Sequence, residues 1–137
     1  MIYLDTAALV KLVRREVESD ALVDWIVDQP DELLVSSTLA EVELPRAVRR
    51  TEPALLAAVP GVLGRIAVYE IDELVRTTAA AYEELALRSL DAIHLATADA
   101  VLADDLTSFV TYDRRLLAAA EDLGLPIASP GLPDAPR

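Results

Sequence analysis

Short apolar runs alternate with longer stretches of helical periodicity along almost the whole chain. Met1-Ile2-Tyr3-Leu4, Leu33-Leu34-Val35-Ser36-Ser37, Ile66 to Ile71, Ser108-Phe109-Val110-Thr111-Tyr112 and Ile127-Ala128-Ser129 read as short buried strands. Helices are predicted over Ala7 to Arg14, Ser19 to Asp28, Thr38 to Arg50, Pro53 to Leu63, Asp72 to Leu87, Asp91 to Leu102 and Arg114 to Leu123. Apolar residues at 22, 23, 26 and 27 mark the second helix, and Pro30-Asp31 ends it. Gly124 stops the last helix. Pro45 falls inside the third, where a proline removes a backbone hydrogen bond, so that helix is expected to bend or to split in two. Strands alternating with helices predict a three-layer α/β domain with a central parallel sheet.

Composition narrows the possibilities. The 137 residues suit one domain with a single well-formed core. The hydrophobic share of 53% is high enough to suggest apolar surface covered by a partner, as does a mean hydropathy of +0.32. No apolar run approaches the roughly 20 residues that cross a membrane. The first residues read as a strand rather than a signal peptide, and a cytoplasmic location is expected. Without cysteine there is no disulfide framework and no thiolate metal site. A net charge of −12 argues against broad, non-specific nucleic-acid binding. A local basic strip remains in Arg46, Arg49 and Arg50, either a solvated helix face or a set of phosphate contacts.

The candidate chemistry lies in four acids. Asp5 and Asp113 each follow an apolar strand, Asp91 opens a helix, and Glu43 sits in the helix after the second strand. In an open α/β sheet, ligands bind in the crevice beyond the carboxyl ends of the strands, where these acids would gather. Each has a plain structural reading, since Asp is a favoured helix cap and Ser89 competes with Asp91 for that place. Several independent acids at one end of a sheet are harder to explain as separate caps. Clustered carboxylates call for a hard divalent cation held through oxygen.

Neighbouring acids are set aside on geometry. Glu41 and Glu43 point about 200° apart on a helix, so one at most faces the crevice. Leu39, Val42, Glu43, Arg46 and Ala47 form a stripe expected to face inward, which selects Glu43 and leaves Glu41 in solvent. Asp99 lies roughly 12 Å along the helix from Asp91, too far to share an ion, and is expected to be structural or supporting. Asp104 and Asp105 read as turn residues. His94, the sole histidine, is expected to be packed and hydrogen-bonded rather than a base, and a zinc site of the usual kind is excluded.

Four blocks together resemble the signature of the PIN-domain ribonucleases, and most closely the VapC-type toxins of bacterial toxin–antitoxin systems. They are Tyr3-Leu4-Asp5-Thr6, Ser37-Thr38-Leu39-Ala40-Glu41-Val42-Glu43-Leu44, Ser89-Leu90-Asp91-Ala92-Ile93-His94-Leu95-Ala96 and Val110-Thr111-Tyr112-Asp113-Arg114-Arg115-Leu116. All stand in family order and spacing, from the first residues to about Ile127. The resemblance implies a Rossmann-like PIN domain over residues 1–129, with a loose proline-rich tail at 130–137. It implies a homodimer, endonucleolytic cleavage of RNA dependent on Mg2+ or Mn2+, and inhibition by a small VapB-type antitoxin whose C-terminal segment wraps the toxin. By position Asp5 and Asp91 would be the main metal ligands and Glu43 and Asp113 would complete the quartet. Thr6 or Thr111 would orient ligands or water. Pro45 and Asp99 lie outside the core pattern.

The implied chemistry has a physical basis. An oxygen-bound Mg2+ polarises a phosphate and lowers the pKa of a bound water, which supplies a nucleophile at neutral pH. With no histidine pair, the 2′-hydroxyl route of metal-free ribonucleases lacks an evident acid and base. Attack by metal-activated water is therefore expected, leaving 5′-phosphate and 3′-hydroxyl ends. Two other uses of acids at strand ends fit less well. A receiver domain needs an acidic pair near the first strand and a late-strand lysine, and a haloacid-dehalogenase-like phosphatase needs an Asp where Ala7 stands. A non-catalytic α/β binding module, PIN-like or receiver-like, is the alternative, because fold does not fix function.

Overall fold

The computed structural model describes residues 1–133; the remainder of the tail, residues 134–137, lies outside the described residues. Five strands form one parallel sheet: β1 (Ile2–Leu4), β2 (Leu34–Ser37), β3 (Ala67–Tyr69), β4 (Ser108–Val110) and β5 (Ile127–Ala128). Their order is β3-β2-β1-β4-β5, with every neighbouring pair parallel. The chain moves to one side of β1 for β2 and β3, then returns to its other side for β4 and β5. The switch point thus lies between β1 and β4, the place where open α/β sheets bind ligands.

Helices cover both faces: α1 (Thr6–Val13), α2 (Ser19–Val27), α3 (Leu39–Thr51), α4 (Val59–Leu63), α5 (Glu73–Ala81), α6 (Ser89–Ala96) and α7 (Arg114–Asp122). Alternation along β1 divides the core. Ile2 and Leu4 pack with Leu9, Leu22, Leu44 and Val48 on one face, while Tyr3 packs with Leu95, Phe109 and Leu116 on the other. Tyr3 and Phe109 sit directly across the β1–β4 pairing and stack with ring centroids 5.3 Å apart. No helix among the described residues is long and apolar enough to cross a membrane.

Several expected boundaries move. The single helix expected over Pro53 to Leu63 is a 3-10 turn, Pro53–Ala58, followed by α4. Pro60 lacks the N–H an unbroken helix would need there. The helix expected to reach Leu87 ends at Ala81, where Tyr82 turns extended and its hydroxyl donates to Asp99 at 2.9 Å. The helix expected from Asp91 begins at Ser89 and, after Ala96, continues as a π-helix over Thr97–Leu102.

At Pro45 the expected split does not occur, and one α-helix runs over Leu39–Thr51. Ala40, Leu44 and Val48 lie fully buried on both sides of the proline, so shared packing holds the two halves in one helix. The same three residues correct the expected inward stripe. Val42 is 58% exposed and Arg46 is exposed, while the true inward face is Ala40, Leu44 and Val48. The tail is less loose than expected at its start. The Tyr112 hydroxyl donates to the Pro130 carbonyl at 2.8 Å. Gly131, at φ +84°, lies so close to Ala21 and Glu18 that a Cβ there would collide.

Candidate active site

Asp5 is the residue at which β1 hands over to α1. Its Oδ1 accepts from the Ala8 backbone N–H at 2.9 Å, so it does cap the helix. It is also 4% exposed, an unusual place for a carboxylate whose only task is to cap. Asp113 caps α7 in the same manner, accepting from Arg115 N–H at 2.8 Å and Leu116 N–H at 3.3 Å. Asp91 is no cap. It stands in the first turn of α6, half-buried, with Arg88 at the cap position and no side-chain cap bond.

Asp5 and Asp91 each feel the charge of other acids. Burial chiefly raises the Asp5 carboxyl above its ordinary value, with a further push from the charge of Asp91; His94, Thr111 and the Ala8 N–H act in opposition. Asp91 is also raised, first by burial, then by the charge of Asp113, with Glu43 adding to it; His94 and Arg88 oppose. Glu43 goes the other way. Burial pushes it up, but hydrogen bonds from His94 and Thr6 outweigh this and hold it below the ordinary value. Of these acids, Asp5 and Asp91 are thus disfavoured as anions and Glu43 is favoured as one.

The threonines stand where they touch these acids. Thr6 Oγ1 donates to Glu43 Oε1 at 2.6 Å. Thr111, fully buried, eases the charge of Asp5 and accepts from the Asp113 backbone N–H at 3.2 Å. His94 is packed and hydrogen-bonded as expected, 2% exposed. Its surroundings were not anticipated: Nε2 meets Glu43 Oε1 at 2.8 Å and Nδ1 meets the Tyr3 hydroxyl at 2.6 Å. The spacing holds one part of this: Asp91 and His94 are three apart on a helix and share a face, which sets His94 beside the acids but names neither Glu43 nor Tyr3. Arg88, whose charge eases Asp91, was also missed.

Other residues fall outside the cluster. Glu41 is exposed, Asp99 accepts from Tyr82, and Asp104 and Asp105 lie in the 3-10 turn Ala103–Asp105. Arg46, Arg49 and Arg50 project into solvent from α3, beginning one turn beyond Glu43. Among the described residues no three acidic or histidine side chains converge as a ready coordination set.

Away from the crevice, Leu12, Val23, Ile26, Val27, Leu34 and Ile66 line an apolar groove of about 170 Å3, with Arg65 also in its wall.

Comparison with known proteins places the chain. The PIN domain family model matches residues 2–122. Ribonuclease VapC35 of Mycobacterium tuberculosis is 58% identical over 132 residues, covering 96% of this chain and 98% of the relative. Ribonuclease VapC47 of the same organism is 42% identical over 134 residues, 96% of this chain and 98% of the relative. Ribonuclease VapC46 is 40% identical over 129 residues, 94% and 97% of the two chains. An end-to-end match of this kind, on a five-stranded parallel sheet with acids at its switch point, shows that the chain belongs to the PIN-domain family and, within it, to the VapC-type ribonucleases.

Proposed function

We propose that the protein is the toxin of a type II toxin–antitoxin system, an endoribonuclease dependent on Mg2+ or Mn2+. The observation that carries this is the gathering of the acids at the β1–β4 switch point: Asp5 and Asp113 follow the two strands, Thr6 beside Asp5 donates to Glu43, and Asp91 lies in reach of the charges of Asp113 and Glu43. The donor set fits a hard cation. Every candidate ligand is a carboxylate oxygen, there is no cysteine, and both nitrogens of the one histidine are already engaged. No three acids among the described residues converge beforehand, so the carboxylates would close on an ion whose remaining positions water fills, as Mg2+ keeps several of its waters.

Asp5 and Asp91 are the principal ligands in this reading, with Glu43 and Asp113 completing the set. When bound, the ion supplies Lewis acidity and positive charge beside the scissile phosphate. The rest belongs to the chain. Thr111 fixes the Asp5 carboxylate and Thr6 fixes Glu43. Arg46, Arg49 and Arg50 draw the RNA backbone toward a molecule whose net charge of −12 would otherwise repel it. Water attacks phosphorus, the 3′-oxygen leaves and takes up a proton, and the products carry 5′-phosphate and 3′-hydroxyl ends. The partner in this reading is a small VapB-type antitoxin in the cytoplasm, which lays an apolar segment into the groove of α1, α2 and α4 over a toxin homodimer.

Sequencing of RNA ends after pulsed expression tests the core of this. Wild type should yield new 5′-phosphate ends, abolished by Asp5→Asn or Asp91→Asn and, in vitro, by a chelator. Cleavage undiminished by both substitutions and by chelation would falsify the mechanism.

A further inference from the structure

We propose that His94 is a positioning residue for the site, a buried hydrogen-bond partner that fixes the Glu43 carboxylate through one oxygen and leaves the other for the metal. The inference rests on the nuclease reading above and concerns a residue outside the acidic quartet.

Four side chains form one hydrogen-bonded chain: Tyr3, His94, Glu43 and Thr6. The Tyr3 hydroxyl lies 2.6 Å from His94 Nδ1, and His94 Nε2 lies 2.8 Å from Glu43 Oε1. Thr6 Oγ1 donates to the same Oε1 at 2.6 Å and lies 3.2 Å from Nε2. The partners assign the tautomer. An ionised carboxylate only accepts, so Nε2 carries the proton; a phenol in a fully buried position keeps its proton and donates it to Nδ1. Every bond in the chain is then satisfied, and no buried side-chain nitrogen or oxygen among the described residues lacks a partner.

The consequence is for Glu43. Both donors meet Oε1, so Oε2 keeps its lone pairs for an ion. The carboxylate's rotation is also removed before the ion arrives. Tyr3 anchors the imidazole from β1 through an edge-on ring contact with centroids 5.8 Å apart. The donor is thus held by the sheet itself. A carboxylate ligand oriented by a buried donor is the usual way an outer partner tunes a metal site, and removing such a partner costs about 10–100-fold in metal affinity or activity.

The single histidine makes a direct test possible. Long-range proton–nitrogen NMR on 15N-histidine-labelled protein should show the Nε2–H tautomer. Calorimetric titration with Mn2+ alone should show affinity about 10–100-fold weaker in His94→Leu, which keeps bulk but donates nothing. His94→Gln, which retains an N–H near the Nε2 position, should recover most of that loss. On RNA, kcat should follow the same order at fixed Mn2+ while KM for RNA stays constant. An Nδ1–H tautomer overturns the proposal, as does equal Mn2+ affinity in wild type and His94→Leu. Equal loss in the Leu and Gln variants also overturns it, because that pattern marks a packing role. Absence of Mn2+ binding by the wild type overturns both this and the nuclease reading. A wild type that binds Mn2+ in the predicted order yet cuts no RNA sinks the nuclease reading alone.

Discussion

Asp91 shows how much a single side chain is held against its preference. Its folded-state pKa is raised, chiefly by burial and then by the charge of Asp113, so the like-charge repulsion expected from clustered acids is the lesser cause. A raised carboxyl means that the folded state binds more protons than the unfolded one. Stability is therefore lost as pH rises from the unfolded carboxylate value through the raised one, and at neutral pH the cost is fully present. Asp91→Asn removes that cost without removing a cap, since Asp91 makes no cap bond. Its metal-free form should melt a few degrees above wild type at neutral pH, with the gap closing as the pH is lowered below about 4. A metal that binds only the folded site raises wild type by mass action, so added Mn2+ should lift wild type more than the variant. Scanning calorimetry in chelator and in Mn2+ checks both; equal melting points throughout would mean Asp91 carries no such charge.

At the scale of elements, α3 carries two burdens. It crosses Pro45 without interruption, although a proline in a helix interior costs about 3 kcal/mol relative to alanine. Pro45→Ala restores one N–H and should stabilise the fold by about 1–2 kcal/mol, less than the full propensity difference because the half-buried ring also packs. Urea unfolding measures this. The helix also projects Arg46, Arg49 and Arg50 from the stretch that follows Glu43. Replacing all three with Ala should weaken RNA binding and lower the salt slope by about 2–3 in log–log terms, one for each lost phosphate contact. If binding at every salt concentration matches wild type, the strip is only surface charge.

For the molecule as a whole, part of the high apolar fraction lines the groove of Leu12, Val23, Ile26, Val27, Leu34 and Ile66. Val27 is 67% exposed there, a poor use of an apolar side chain unless something covers it. If the proposed VapB-type antitoxin docks in this groove, Val27→Asp should reduce its co-purification from co-expressing cells by tenfold or more, since an unpaired charge would be buried at the interface. RNA cleavage by the free toxin should stay at the wild-type rate, because the groove lies apart from the acids. Pull-down and cleavage assays on one preparation separate the two.

The alternation of apolar runs and helical periods was enough to determine an α/β domain with a parallel sheet, since strands buried on both faces are read directly as short continuous apolar segments. The sequence also determined the four acids as candidates, because strand-to-helix handovers such as Leu4–Asp5 are local, while the two threonines entered only through the resemblance to the PIN-domain signature. Local reading failed where local preference was overruled. Pro45 argued for a break, and packing of Ala40, Leu44 and Val48 held the helix together. The inward stripe of α3 was read one residue out of phase, because its alanine and leucine positions are decided by the sheet they meet. Only the tertiary structure could place His94 between Tyr3 and Glu43. Those three residues come from β1, α3 and α6, and the partners of a buried polar group are fixed by how elements pack, which no spacing along the chain records.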